Sequence, residues 1–400
     1  MPKLSLNIII NKINKFLFVI ILLELFLGGG GQLTKFGFLT LRMMLFFLAL
    51  TINIPLFLIT PKINKYVIEL LVIFTLYLVF YFLIGFFKET SLSIIFRDIK
   101  PLIYFYSIIF FYNNIKELSD IKFIINILKI SSIIMTILYI LFYYLINFGL
   151  IDFPQFYHTL SISGEFFFRG EQAFFYKGFF YMCVGFIFFF NEKKVLSNFL
   201  SILIFAAIVL TFTRGFILSL ILSYIMLEIF SKRFSFKTLI LLVFNILIIG
   251  ALFIFYNFQN IGNKATSDSV RLNTIDEVYE QTGFINTFIG NGFGKGVTSR
   301  DIHMEISYLE IFFKQGILGL FFYLYMFIFL IQFYNRAVKN GNSYYAKPLL
   351  LAAIFTYIQS FTNPFINNPI GMSMVIISLI SLDMLGNSKI DNDISLYSNV

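Results

Sequence analysis

Runs of about 20 apolar residues follow one another along almost the whole of this 400-residue chain. An α-helix needs that length to cross the hydrocarbon core of a bilayer, so the pattern leaves little room for a soluble fold. Composition agrees: hydrophobic residues make up 59% and charged residues 13%, with mean hydropathy +0.87. A soluble surface needs roughly twice that charge. A transmembrane barrel would show short alternating segments, which the sequence lacks. The expected fold class is therefore all-α, a polytopic membrane protein forming a single integral membrane domain over residues 1–400. Apolar length predicts about 12 spans, near 14–30, 36–59, 66–87, 94–112, 123–148, 172–190, 196–212, 215–230, 238–256, 307–333, 348–362 and 367–385. Arg97, Asp98 and Lys100 interrupt the fourth, and Pro101 would kink or start a helix there.

Basic clusters set the orientation by the positive-inside rule. Lys12 and Lys15, Lys62 and Lys65, Lys116 and Lys122, Lys193 and Lys194, Lys232 and Arg233, and Arg336 and Lys339 fall on one side. The intervening links are poorer in charge, which places both termini in the cytoplasm. The N-terminus has the basic start of a signal sequence without an evident small-residue cleavage site, and reads as a retained first helix. The net charge of +9 reflects these clusters and does not indicate a nucleic-acid partner. The single cysteine, Cys183, excludes an internal disulfide, and no Cys/His cluster has zinc spacing, so neither metal nor cofactor is expected. Glu24 and Arg42 lie in or near the outer halves of the first two spans; intramembrane charges usually pair.

Two outside segments are longer than links: a smaller extracytoplasmic loop at 149–172 and a large one at 257–306, between spans nine and ten. The chemistry-bearing residues gather there. Arg214, in TFTRG, sits in a tight turn between two spans. It either snorkels to the headgroups or presents a guanidinium able to grip a phosphate with two parallel hydrogen bonds. Arg271 lies in SDSVRLNTIDEVYE, where Val270, Ile275 and Val278 recur at roughly helical spacing, as in a short amphipathic helix on the membrane surface. Gly290, Gly292, Gly294 and Gly296 alternate in FIGNGFGKGV; such a run allows tight turns or close backbone approach to a ligand. His303 and Glu305 follow, with Glu305, Tyr308 and Leu309 able to share a helical face. A carboxylate or imidazole at the lip of the membrane can serve as a general base. In the smaller loop Arg169 precedes a span, with Lys177, His158 and Glu165 nearby; His158 reads as a solvated loop histidine.

This arrangement resembles the O-antigen polymerase and O-antigen ligase family of bacterial inner-membrane proteins, most sharply from Arg214 to Gly319. In that family a large late loop follows the ninth span. One arginine marks the turn before the eighth span, as Arg214 does, and a second opens the loop, as Arg271 does. A Gly-x-Gly turn is matched by Gly290, Gly292 and Gly294, and the closing motif by Tyr308, Leu309, Gly316 and Gly319. The family's histidine position is occupied by Glu305 and its asparagine by Ile306, with His303 displaced by two residues.

The resemblance implies glycosyl transfer from a polyprenyl-diphosphate-linked glycan donor to a similar lipid-linked acceptor, with membrane lipids and a chain-length regulator as further partners. It implies diphosphate binding by Arg214 and Arg271, with Arg169 a third candidate, further substrate contacts from Gly292, Gly294 and Tyr308, and base catalysis by Glu305 or His303. A ligase acting on a lipid A core is the alternative within the family. A transporter or lipid-linked glycan flippase is the alternative outside it; neither internal repeats nor paired broken helices favour that reading.

Overall fold

The computed structural model describes residues 2–37, 39–60, 63–169, 173–230 and 264–388, including their side chains except those of 2–11, 169 and 264–268. The expected ninth span, 238–256, lies outside the described residues. Among the described residues fifteen α-helices run in chain order: α1 Pro2–Leu27, α2 Leu41–Leu58, α3 Lys65–Phe87, α4 Leu92–Leu102, α5 Ser107–Asn114, α6 Leu118–Asn147, α7 Phe153–Ser161, α8 Phe179–Phe190, α9 Val195–Leu210, α10 Arg214–Phe230, α11 Lys264–Gln281, α12 Phe284–Ile289, α13 Ser307–Lys339, α14 Ser343–Gln359 and α15 Pro369–Asn387. Five of them, α2, α3, α6, α13 and α15, are long and apolar enough to cross a membrane; α8 and α9 are apolar but shorter.

The all-α expectation needs one correction. Among the described residues two antiparallel hairpins occur, β1 Lys35–Phe36 with β2 Leu39–Thr40, and β3 Phe166–Arg169 with β4 Ala173–Tyr176. The second pairs Phe167 with Phe175 and Phe168 with Phe174, and β4 is buried throughout. Such short ribbons find partners for backbone groups in connections that lie against the bundle.

The core is built around α15, which packs on α13, α14 and α5; 89% of its apolar window is buried. Asn368 starts this helix, accepting hydrogen bonds from the Ile370 and Gly371 amides, with Pro369 at its first turn. Helices nearer the lipid keep exposed apolar faces, as in α3 with Leu76, Val79 and Phe80.

The fourth expected span is a broken helix. α4 ends just past Pro101, a single 3-10 turn covers Ile103–Tyr106, and α5 resumes the path. The break follows from a proline that removes one backbone donor. It leaves Asp98, on α4, facing the protein interior.

Polar side chains fix helix register inside the bundle. Asn53 donates to Asn14 at 2.8 Å, and Asn14 donates to Asn114 at 3.1 Å, tying α1, α2 and α5. At the other end of α1, Arg42 Nε donates to Glu24 at 2.8 Å, with the side chains 5% and 12% exposed, so the expected pair forms. Glu165 is also buried there, and accepts the amides of Gly30 at 2.6 Å and Gln32 at 2.8 Å. This carboxylate ties the smaller loop to the α1–α2 link.

Breaking a buried pair strands its partner's charge, at a cost of about 3–5 kcal/mol. Arg42→Ala should therefore lower thermal stability in detergent far more than the Arg42→Met/Glu24→Leu double variant. Equal losses in the two would show that the ion pair does not hold α1 to α2.

Candidate active site

The start of α13 organises the polar region at one end of the bundle. Gly316, at φ 64 and ψ −166, interrupts this helix. That backbone conformation strains any L-residue, and a Cβ here would strike the Phe288 carbonyl. The interruption deprives nearby carbonyls of their usual helical donors. The glycine run supplies replacements. Asn291 N donates to Phe313 O at 2.9 Å, and Gly292 N to Lys314 O at 2.7 Å. Tyr81 Oη, from α3, donates to Gln315 O at 2.7 Å.

Gly290, Gly292 and Gly294 all have positive φ, which only glycine adopts at little cost. A Cβ at Gly292 would meet the backbone of Gly85 on α3; one at Gly290 would meet Lys314 and Gln315. The close approach these glycines allow is thus to other parts of the protein: Gly290 to α13, Gly292 to α3, and Gly294 to Thr90 and to Ile95 on α4. Gly292 and Gly294 shape the loop by packing into the helices.

Inside this turn lies a buried charge cluster that sequence reasoning missed. Lys314 Nζ lies 2.8 Å from Asp98 Oδ1 and 2.6 Å from Glu310 Oε1, and donates to Ile302 O at 2.5 Å. Lys314 is 2% exposed, Asp98 3% and Glu310 7%. Asp98 Oδ2 also accepts the Gly294 amide at 2.6 Å, so one carboxylate joins α4, the glycine turn and α13. Glu310 Oε2 accepts from Asn367 Nδ2 at 2.9 Å. The available signal was the i,i+4 spacing of Glu310 and Lys314 within an otherwise apolar helix, together with Asp98 in a broken span.

His303 sits at the edge of this cluster, its side chain 52% exposed, with Nδ1 3.2 Å from Glu310 Oε1 and 3.8 Å from Asp98 Oδ1. A carboxylate that accepts from Nδ1–H leaves Nε2 as the basic nitrogen. Ligand atoms of Asp98, His303 and Glu310 all lie within 4.8 Å of one another, close enough to hold a metal ion. The Lys314 ammonium already bonds both carboxylates. A divalent ion would have to compete with that fixed charge.

Glu305 lies before the start of α13, which corrects the expected helical face shared with Tyr308 and Leu309. Glu305 accepts Arg271 Nε at 2.8 Å and Arg300 Nη2 at 2.5 Å, all three about one-third exposed. Arg300 was not singled out from the sequence. α11 brings Arg271 here because its Thr274 and Glu277 bond to Ser299, at 2.9 and 2.8 Å, and its Val278 packs in a small core with Val297, Met304 and Phe313. Ile275, expected on the same apolar face, is instead 40% exposed.

Arg214 begins α10 two residues after Phe212, whose φ is 52. A Cβ on the adjacent Gly215 would lie 3.2 Å from Thr362 and 3.8 Å from Asn363. The α14–α15 turn that carries these residues accepts Ser307 Oγ at Asn363 O, 3.2 Å. Arg214 and the start of α13 therefore flank the same turn. Tyr308 directs its hydroxyl to the Tyr357 carbonyl at 2.8 Å and packs its ring on Phe361. Arg169 ends β3, its side chain outside the described ones. His158 is exposed on α7, as expected for a solvated loop histidine.

Fold and site together define a helical membrane protein with a polar, cation-bearing centre at one end of its bundle. The chain is 30% identical over 395 residues to the O-antigen polymerase of Shigella flexneri, covering 96% of this chain and 99% of that one. It belongs to the O-antigen polymerase family. No family model matches the chain. No solved structure matches it either.

An alanine at position 316 must adopt a positive-φ, extended-ψ backbone that is essentially reserved for glycine, at a cost of about 1–3 kcal/mol. Gly316→Ala should therefore lower the melting temperature in detergent. Unchanged melting would show that α13 can run straight through the site.

Proposed function

We propose that this protein polymerises O-antigen repeat units by glycosyl transfer at the outer face of the bacterial inner membrane, with 12 spans and both termini in the cytoplasm. The donor is a glycan on a polyprenyl diphosphate, and the acceptor a hydroxyl of another lipid-linked repeat unit. One observation carries the reading. Arg271 and His303 converge on the loop closing onto α13, beside the turn that Arg214 flanks, in a chain related over nearly its whole length to a polymerase. That relative's name favours polymerisation over the ligase reaction.

The chemistry follows from the charges. The acceptor oxygen attacks the anomeric carbon as the bond to the diphosphate oxygen breaks. The proton leaves the acceptor for His303 Nε2, while Glu310 holds Nδ1 and the ring's orientation. The departing diphosphate gains negative charge, which fixed guanidinium groups stabilise without reorganising. Arg214 and Arg271 serve this role, with Arg169 as a third candidate. Glu305 holds Arg271 and Arg300 in place, since both of its oxygens are engaged by them. His303 is thereby favoured as the base. Gly292, Gly294 and Tyr308 shape the walls of the site. A chain-length regulator and membrane lipids complete the partners.

Arg214→Ala and Arg271→Ala should each abolish chain extension while the protein still inserts, measured as the glycan ladder in a strain lacking its own polymerase. Normal ladders in both would remove the arginines from the reaction. His303→Ala should slow extension by roughly 100- to 10,000-fold, the usual range for a general base. Glu305→Gln should cost less, because both guanidinium groups remain. The reverse order would make Glu305 the base.

A further inference from the structure

A pocket of about 510 Å³ opens where α3 ends against the glycine turn. Lys88, Lys295, Asn291, Gln281, Glu89 and Phe313 line it. The Lys88 ammonium donates to Asn286 Oδ1 at 3.2 Å and Asn291 Oδ1 at 3.3 Å. Among the described residues neither lysine makes an ion pair, although the Glu89 carboxylate lines the same space. A lysine at a helix C-terminus is accounted for by the helix dipole. That reason does not apply to Lys295, which comes from the loop and places a second ammonium beside the first. Partial burial, and then the charge of Lys295, lower the Lys88 pKa from its ordinary value. Two like charges facing one cavity are relieved by a bound anion.

Directly along the same two helices runs an apolar groove of about 750 Å³ between α3 and α13. Leu76, Phe80, Leu83, Leu318 and Phe321 line it, each more than one-third exposed. Leu83 lies one turn from Phe87 at the pocket's rim, and Leu318 follows Phe313, which lines the pocket. A cationic head site thus lies one turn along α3 from an apolar trough.

We infer that Lys88 and Lys295, above the α3–α13 groove, form a second lipid-diphosphate seat, holding the acceptor lipid by its diphosphate and its polyprenyl tail. This rests on the polymerase reading, in which two such lipids meet. The donor's diphosphate is released during transfer and needs the arginines. The acceptor's diphosphate stays intact and needs only an anchor, for which ammonium groups suffice. The groove accounts for the tail and the pocket for the head, and both have lining residues on α3 and α13.

The test is equilibrium binding of undecaprenyl diphosphate in nanodiscs to the full chain carrying Arg214→Ala/Arg271→Ala, which leaves the lysine seat alone to be read, with undecaprenol and phosphatidylglycerol as competitors. Lys88→Gln/Lys295→Gln should weaken undecaprenyl diphosphate at least about tenfold, the low end for losing charged hydrogen bonds. It should leave undecaprenol unchanged. Lys88→Arg/Lys295→Arg should restore most of the binding. Glu89→Gln, which removes the only carboxylate among the lining residues, should tighten it. Binding should also weaken as pH rises through the lowered lysine pKa, where the cation is lost.

Unchanged affinity in the double glutamine variant would overturn the seat. Equally strong, lysine-dependent displacement by phosphatidylglycerol would overturn it too, marking a general phospholipid pocket. The Arg214→Ala/Arg271→Ala variant separates this from the polymerase reading. If that variant extends chains normally, the reading fails, whereas lysine-dependent binding is measured without turnover.

Discussion

The interruption of α13 at Gly316 is the constraint on which the polar end of the molecule depends. A helix that stops bonding to itself inside a membrane must find donors from elsewhere, because the bilayer core supplies none. Here three consecutive carbonyls, of Phe313, Lys314 and Gln315, are met by Asn291, Gly292 and Tyr81. That exchange docks the large loop onto α3 and α13. It also fixes the first turns of α13, where Glu310 and Lys314 face inward. A straight helix would bond those carbonyls internally and leave the glycine turn without its anchor.

The second element is the buried ammonium of Lys314. Its contacts with Asp98 and Glu310 join a broken helix, a loop and the start of a span. Such a cluster is costly to assemble away from water, and it is retained where it holds geometry. Its position beneath His303 gives it that role. The histidine is the exposed outer member of a network whose other members are fixed, so its ring is oriented from below.

Much of this architecture was legible in the sequence. The boundaries of α3, α9 and α10 fall within about two residues of those expected from apolar length, since hydrocarbon thickness sets that length. The Glu24–Arg42 pair was legible too, because two opposite charges in neighbouring spans have few other partners. The site was only half legible. Arg214, Arg271 and His303 stand out as polar residues near apolar spans. Glu310 and Lys314 are i,i+4 neighbours, but nothing local shows that they meet Asp98, which lies 216 positions from Lys314. The glycines were legible as glycines, but whether their bare backbones approach a ligand or another helix depends on tertiary packing. Ile275 illustrates the same limit: helical spacing identifies a stripe, but Thr274, bonded to Ser299, took the inward place.

The tie between Glu165 and the amides of Gly30 and Gln32 has a bearing on selectivity. Glycine-rich turns that expose successive N–H groups form hollows suited to anions. In this molecule that hollow is plugged from within by the chain's own carboxylate. An incoming phosphate therefore finds no vacancy at the α1–α2 link, and the negative plug repels it. Among the described residues, guanidinium and ammonium side chains gather instead around the large loop, so this decoy is closed.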